Sequence, residues 1–345
     1  MSPIQGFTRM RKWQFGKQNV LGTGVAATRR MAFSGTLDVN PNWVDQEDVD
    51  VGSIDPVLPP YRTATDITAN LSASLNFDHL PMLMGSGLRG GTSGAAGGGG
   101  SYTWTHTGLS LTATTLDYLT GEWADDVSAD GYNAIDGIVE SLEFSFDDTL
   151  GPWQVSAGWR FGSVGHGVTP TAALVVGSNL PLCFGADTKL YIDDTSGNIG
   201  STQISDALHG ATIRIENEVD VKRFANGSNS RFAVTGYGLA GRGITASFTF
   251  AKHADIIGAL DGEVTDWLNA DPVNRFVQMT VESTQEAESG VPYQWDLYLS
   301  GTWRTRSDGE RGGNSAVTLE MTGRYDSTLG YPIKSVVVDT VADTP

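Results

Sequence analysis

Five histidines, one cysteine and many carboxylates are the residues of this 345-residue chain with chemistry to offer. His79, His106, His166, His209 and His253 stand singly, with no His-x-x-x-His or Cys-x-x-Cys spacing. A zinc site needs three or four convergent ligands, and nothing local supplies them. Cys183, between Leu182 and Phe184, reads as a buried small hydrophobe rather than a nucleophile. The chain has no Gly-x-Ser-x-Gly elbow and no phosphate-binding loop ending in Gly-Lys-Ser/Thr. Gly85-Ser86-Gly87-Leu88-Arg89-Gly90 fits the dinucleotide glycine pattern letter for letter. That pattern acts only between a strand and a helix, with an acidic residue about twenty positions on. Here a helix signal precedes it and the glycine-rich 91–101 segment follows, so a mobile loop is expected. Asn40 to Pro60 carries Asp45, Glu47, Asp48, Asp50 and Asp55 without the Gly and closing Glu of a calcium loop. It reads as a solvated or partner-facing loop, with calcium as the alternative. Two carboxylates could hydrolyse a glycoside, but such a pair is defined by separation in space. Trp43, Trp104, Trp123, Trp153, Trp159 and Trp303 could form a sugar platform. No catalytic residue, metal or cofactor is expected.

The elements that would position these residues are strands. Gly is 43 of 345, and Ser, Thr and aromatics are frequent, a composition suited to short strands and tight turns. Met31–Val39, Thr65–Phe77, Thr114–Trp123, Gly137–Phe146 and Trp153–Phe161 alternate as strands do, as do Ala211–Glu216, Arg231–Tyr237, Ile244–Phe250, Phe276–Ser283, Gln294–Trp303, Ala316–Tyr325 and Ile333–Val338. Small strands are expected at Leu182–Phe184 and Lys189–Ile192. Asp78-His79-Leu80-Pro81-Met82-Leu83-Met84 has the Asp cap and apolar content of a short helix, and Lys252–Leu260 repeats the plan. No run approaches the ~18 apolar residues of a membrane span, and the N-terminus lacks the apolar core of a signal peptide. Synthesis in a reducing cytoplasm is expected from the single cysteine.

Three stretches recur. Tyr118-Leu119-Thr120-Gly121-Glu122-Trp123 is echoed by Tyr298-Leu299-Ser300-Gly301-Thr302-Trp303, 180 positions later. Ile67–Phe77 is echoed by Gly243–Phe250, the Ala-Ser-x-x-Phe core offset by 173. Phe146-Asp147-Asp148-Thr149-Leu150-Gly151 is echoed by Tyr325-Asp326-Ser327-Thr328-Leu329-Gly330, offset by 179. Collinear echoes indicate one module present twice. The expected fold is mainly β: two tandem β-sandwich or barrel modules, each with a short helix. Residues 1–30 form an extended arm, 31–162 the first module, 163–205 a connector and 206–345 the second module. Trp123 and Trp303 would then be matching structural positions.

Charge and register supply the functional hints. Net charge is −18, yet residues 1–36 hold Arg9, Arg11, Lys12, Lys17, Arg29 and Arg30 and no acid, making a +6 arm on a −24 body. Such an arm could dock on the body of a neighbouring copy, and the acidic remainder argues against tight nucleic-acid binding. In the strand ending at Phe146, Leu142, Phe144 and Phe146 face one side, and Ser141, Glu143, Ser145 and Asp147 the other. At offset 179 the second module places Met321, Gly323 and Tyr325 on the apolar side and Glu320, Thr322, Arg324 and Asp326 on the polar side. The expectation is a polar, mostly acidic sheet face in both modules.

This layout resembles the major tail tube proteins of long-tailed, non-contractile bacteriophages. The residues that carry the likeness are Phe15-Gly16-Lys17-Gln18, with Gly22-Thr23-Gly24-Val25-Ala26-Ala27-Thr28-Arg29-Arg30, the strand and short helix ending at Phe77–Met84, and the closing Tyr-Asp-x-Thr-Leu-Gly before a valine-rich strand. The resemblance implies a virion protein whose β modules form rings of six, stacked into a tail tube that conducts double-stranded DNA without binding it specifically. It also implies tape-measure, tail-terminator and distal tail proteins as partners, and no membrane. With two modules per chain, three chains would complete a ring. Glu143, Asp147, Glu320 and Asp326 are the expected acids of the channel wall, and the basic arm the expected contact between rings. A carbohydrate-binding or adhesin-like protein and a two-carboxylate hydrolase remain alternatives.

Overall fold

The structure, a computed structural model, describes residues 11–46, 58–88, 91–95, 99–108, 117–125, 130–147, 149–174, 176, 180–224, 234–252 and 274–342. It is mainly β, with one short α-helix among these residues. The first ten strands are β1 (Lys12–Gln18), β2 (Arg29–Met31), β3 (Ser34–Val44), β4 (Tyr61–Ser74), β5 (Thr92–Ala95), β6 (Tyr102–Thr107), β7 (Tyr118–Ala124), β8 (Gly131–Phe146), β9 (Gln154–Phe161) and β10 (Ser163–Val168). Eight more follow: β11 (Thr188–Asp193), β12 (Gln203–Ile204), β13 (Leu208–Lys222), β14 (Gly236–Ala251), β15 (Arg275–Glu288), β16 (Val291–Arg311), β17 (Asn314–Gly323) and β18 (Ile333–Asp339). Alternation decides which face each strand buries. In β9, Val155, Ala157, Trp159 and Phe161 are buried while Gln154 and Ser156 are exposed.

The order of strand pairing occurs twice. In the first half it runs β3–β4–β9–β8–β7–β1–β2, with β10 also on β8. In the second half it runs β13–β14–β17–β16–β15–β11–β12, with β18 also on β16. Irregularities match as well. Glu140 is the extra residue of β8 opposite β9, and Arg304 is the extra residue of β16 opposite β17. Thr63 of β4 and Ala240 of β14 are likewise extra opposite their hairpin partners. A bulge bends a strand and increases its twist. Here it lies between the two pairing environments of a long strand: one end of β8 joins β7 and β10, the other β9 and β13.

The bulges set a register between the halves that differs from that of the echoes. Trp159, paired with Val139 and Ala69, takes the place of Met321, paired with Trp303 and Ala246. Ile67-Thr68-Ala69-Asn70-Leu71-Ser72 therefore corresponds to Ile244-Thr245-Ala246-Ser247-Phe248-Thr249, at offset 177 rather than 173. The other two echoes do not mark equivalent places. Tyr118–Trp123 lies on β7 and Tyr298–Trp303 on β16, so the counterpart of Trp303 is Val139 and not Trp123. Phe146–Gly151 follows β8, whereas Tyr325–Gly330 follows β17. Those two recur because they build the same turn. The Asp147 carboxylate accepts from the Thr149 amide at 3.1 Å, and the Asp326 carboxylate from the Thr328 amide at 2.9 Å. An Asp that bonds the backbone two residues on is a local turn device independent of the strands around it.

The expected boundaries also change. From residue 11 onward the arm is built into the fold: β1 pairs β7 along its length, because Trp13 and Phe15 alternate inward and stack near Phe161 and Trp159. The connector is not a linker either. Within it β10 pairs β8, and β11 and β12 belong to the second half. Nor does each half close a separate core. Phe144 and Trp153 of the first half meet Trp295 of the second, with ring centroids 5.1 and 5.7 Å apart, inside one continuous cluster of buried residues. Among the described residues, two strand pairings cross between halves, β8 with β13 and β6 with β18.

Helix α1 (Leu80–Gly87) follows a 3-10 turn at Phe77–His79 whose cap is Asn76, not Asp78: the Asn76 side chain accepts from the His79 amide at 3.0 Å. Its residues are all buried. The first part of the glycine motif is thus a helix end rather than a mobile loop. A Cβ on Gly85 would stand 2.8 Å from an Asp117 oxygen, and one on Gly87 3.2 Å from Leu142, so these glycines allow close packing. Thr92–Ala95 in the segment after it is paired with β6. The helix expected over 252–260 lies, except for residue 252, outside the described residues.

Candidate functional site: a polar sheet face shared by both halves

One face of the row β3–β4–β9–β8–β13–β14–β17–β16 is built by both halves together. Across it, directly opposed residues run Ser74, Gln154, Ser145, Thr212, Ser247, Glu320, Thr305. The neighbouring line runs Ser34, Ser72, Ser156, Glu143, Arg214, Thr245, Thr322. The reason is period-two alternation: from β9 to β14 these residues lie between buried partners such as Leu142, Phe144, Ile213, Ile215 and Phe248 that fill the core. Both halves contribute to one uninterrupted surface, because β8 pairs β13.

Two of the four expected wall acids lie on this face. Glu143 stands directly opposite Arg214, whose guanidinium pairs with Glu216 at 2.7 Å. Glu320 is exposed and accepts from the Thr305 hydroxyl at 2.5 Å. They are three strands apart on adjacent lines, and they are not counterparts: the bulge-anchored register sets Glu143 against Ser307 and Glu320 against Gly158. Asp147 and Asp326 fall outside the strands. The strand β17 ends at Gly323, so the polar-face register extended to Asp326 does not hold, and both aspartates cap turns. Hydrogen bonds from the Thr149 hydroxyl and amide hold the Asp147 carboxyl below its ordinary range. In the two central lines hydroxyl side chains outnumber charged ones, so the face is hydroxyl-rich rather than mostly acidic.

The basic residues are bound into the fold. Lys17 pairs with Asp117 at 3.0 Å, and the Arg11 guanidinium lies 5.7 Å from the Trp123 ring centre. Arg29 donates to the Asp78 carbonyl at 2.8 Å, and burial lowers its pKa. Lys12 and Arg30 sit on β1 and β2, half-buried. Arg9 lies outside the described residues. Arg29 lies beside Asp78 and Asp339 in a cluster of titratable groups that its place in the arm did not suggest. Burial pushes the Asp339 carboxyl up to about 8, raises Asp78 and lowers His79 to about 3. One oxygen of Asp339 accepts from the Val341 amide at 3.0 Å, and its other oxygen has no hydrogen-bond partner among the described residues.

Local chemistry elsewhere is sparse. Among the described residues no three His, Cys, Asp or Glu side chains converge on a point that could hold a metal. Cys183 is buried, and burial pushes its thiol well up. Of the six tryptophans weighed for a sugar platform, Trp104, Trp153, Trp159 and Trp303 are buried, Trp123 is half-buried and Trp43 alone is exposed. The acids Glu47, Asp48, Asp50 and Asp55 lie outside the described residues. No helix among the described residues is long and apolar enough to cross a membrane.

In comparison with known proteins, no family model matches this chain and no curated protein matches it in sequence.

Proposed function

We propose that this chain is a self-assembling structural protein of the tail-tube type, in which copies join into rings and the rings stack around a channel. The observation that carries the reading is the hydroxyl-rich face of eight strands, continuous across both halves and ending on each side in a strand edge that is unpaired among the described residues. Unpaired edges invite further pairing, and a closed ring of sheets removes them. Three chains would bring twenty-four strands into such a ring. At about 4.8 Å between strands and a tilt of 35–45°, a barrel of that size is about 45–50 Å across its backbone. Ser and Thr side chains on its wall would offer phosphates no fixed positive charge, the arginine of the two lines, Arg214, is paired with Glu216, and the carboxylates Glu143 and Glu320 would repel them. DNA could then pass without sticking. Tape-measure, terminator and distal tail partners, and a place in the virion, follow from the resemblance and belong to the same proposal.

Negative-stain electron microscopy of the concentrated full chain tests it. Rings or tubes with a central channel are expected. Dispersed single chains at every concentration would overturn the reading.

A further inference from the structure

We infer that copies of this chain join edge to edge through β16 of one and β3 of the next, in the register that β8 and β13 use inside the chain. The inference rests on the assembly reading in one respect, that copies meet at all; the choice of edges comes from the internal repeat. Inside the chain, residues 141–146 of β8 pair with residues 211–216 of β13 and join the two halves. Exchanging the halves carries β8 to β16 and β13 to β3. Among the described residues, β16 beyond its Arg304 bulge pairs only with β17, and β3 pairs only with β4. The two strand edges that are joined inside the chain are therefore unpaired at their counterparts, one at each end of the eight-stranded row.

The bulges fix the register. Val139 and Ser141, which flank Glu140, correspond to Trp303 and Thr305, which flank Arg304. The Thr63 and Ala240 bulges set Gly35 against Ala211 and Asn40 against Glu216. The internal pairs Phe146–Ala211, Glu143–Arg214 and Ser141–Glu216 thus become Glu310–Gly35, Ser307–Asp38 and Thr305–Asn40 between copies. Burial agrees on the β3 side. Leu37 and Val39 are half-buried, whereas their counterparts Ile213 and Ile215 are fully buried where β13 lies against β8. A neighbouring β16 would complete that cover.

The new junction differs chemically from the internal one. Where β8 presents Leu142 and Phe144, β16 presents Arg306 and Asp308, 3.5 Å apart, with Lys252 3.2 Å from Asp308. Inward-facing charge on an edge strand discourages unwanted pairing. It keeps the β16 edge blunt while the chain folds and leaves a polar junction for assembly. The contact is heterologous, so each copy offers the next the edge it has not used, and closure depends on the rotation relating the halves.

The test is oxidation of the full-length double variant Asp38→Cys/Ser307→Cys. Both positions are exposed, and the chain's own Cys183 is buried. Directly opposed residues of an antiparallel pair have Cα atoms about 4.5–5.5 Å apart, within disulfide range. A reducible ladder of linked chains is expected, with at least tenfold less cross-linking in Asp38→Cys/Gly309→Cys, whose diagonal separation is about 7–8 Å. Assemblies seen by light scattering that carry no 38–307 link would overturn this junction and leave the assembly reading standing. A link confined within single chains would also overturn it, and no association at any concentration would defeat both. As a second variant, Arg306→Leu/Asp308→Phe gives β16 the apolar pattern of β8. It is expected to associate at a concentration at least tenfold lower, and unchanged association would count against the junction.

Discussion

Asp339 is the residue whose surroundings make the firmest prediction about pH. An exposed aspartate titrates near 3.9, whereas burial pushes Asp339 up to about 8, with Arg29 and Asp78 as its charged neighbours. The folded chain thus holds this proton more tightly than the unfolded chain does. The stabilisation is fully present below about pH 4 and is lost as pH rises toward about 8. Asp339→Asn should flatten that decline and raise the melting temperature at pH 8.5 relative to the parent, measured by thermal unfolding at pH 5, 7 and 8.5. A steeper decline in the variant would contradict the assignment. At the same scale, Asp326 holds its turn through amide bonds from Thr328 and Leu329, both 2.9 Å. Asp326→Ala should cost about 1 kcal/mol. Glu320→Gln keeps an acceptor for Thr305 and should leave stability within about 0.5 kcal/mol. Denaturant titration of the pair separates a turn cap from a surface acid.

Elements place these residues through a few close approaches. Gly301 and Gly137 occupy corresponding positions on β16 and β8, and neither has room for a side chain. A Cβ at Gly301 would stand 2.4 Å from the Thr322 carbonyl oxygen, and one at Gly137 2.4 Å from the Phe161 ring. Gly301→Ala should therefore destabilise by about 1–3 kcal/mol, with the loss visible as a lower midpoint in urea. The bulges at Glu140 and Arg304 matter for the same reason: they divide each long strand between two sets of neighbours. Strand alternation made most of these strands readable. β9, β15 and β18 lie close to where the hydrophobic pattern put them. The bulges had no such signal, since a one-residue insertion leaves the composition of a strand unchanged.

At the scale of the whole molecule, Trp295 joins the halves. It packs against Phe144 and Trp153, and its indole donates to the Ser335 hydroxyl at 3.1 Å. The chain should unfold in one calorimetric transition, and Trp295→Ala should lower it as a unit at a cost of about 3–5 kcal/mol. Two resolved transitions would show that the halves are separate domains. The same continuity sets the proposed assembly apart from a pair of beads on a linker, because a rigid eight-stranded row presents its two outer edges at a fixed spacing.

The amino-acid pattern alone determined that the chain is mainly β, that its helical content is small and that Leu142, Phe144 and Phe146 turn inward while Ser141, Glu143 and Ser145 turn out. These are period-two and composition effects, set by residues within one strand. It also held the internal repeat in view, in the Ile-Thr-Ala triplets of β4 and β14, but could not choose them over two echoes of other origin. Tyr-Leu-Thr/Ser-Gly-x-Trp recurs on strands in different places, and Asp-x-Thr-Leu-Gly recurs because a turn closes locally. Only the tertiary structure decided between them, because equivalence depends on which strands hydrogen-bond and where a bulge interrupts them. For the same reason it reassigned Arg29 from an arm to a buried contact, and Asp147 and Asp326 from a wall to turn caps. A side chain's charge is written in the sequence, but the surface or turn it joins depends on where each strand ends and what packs beside it.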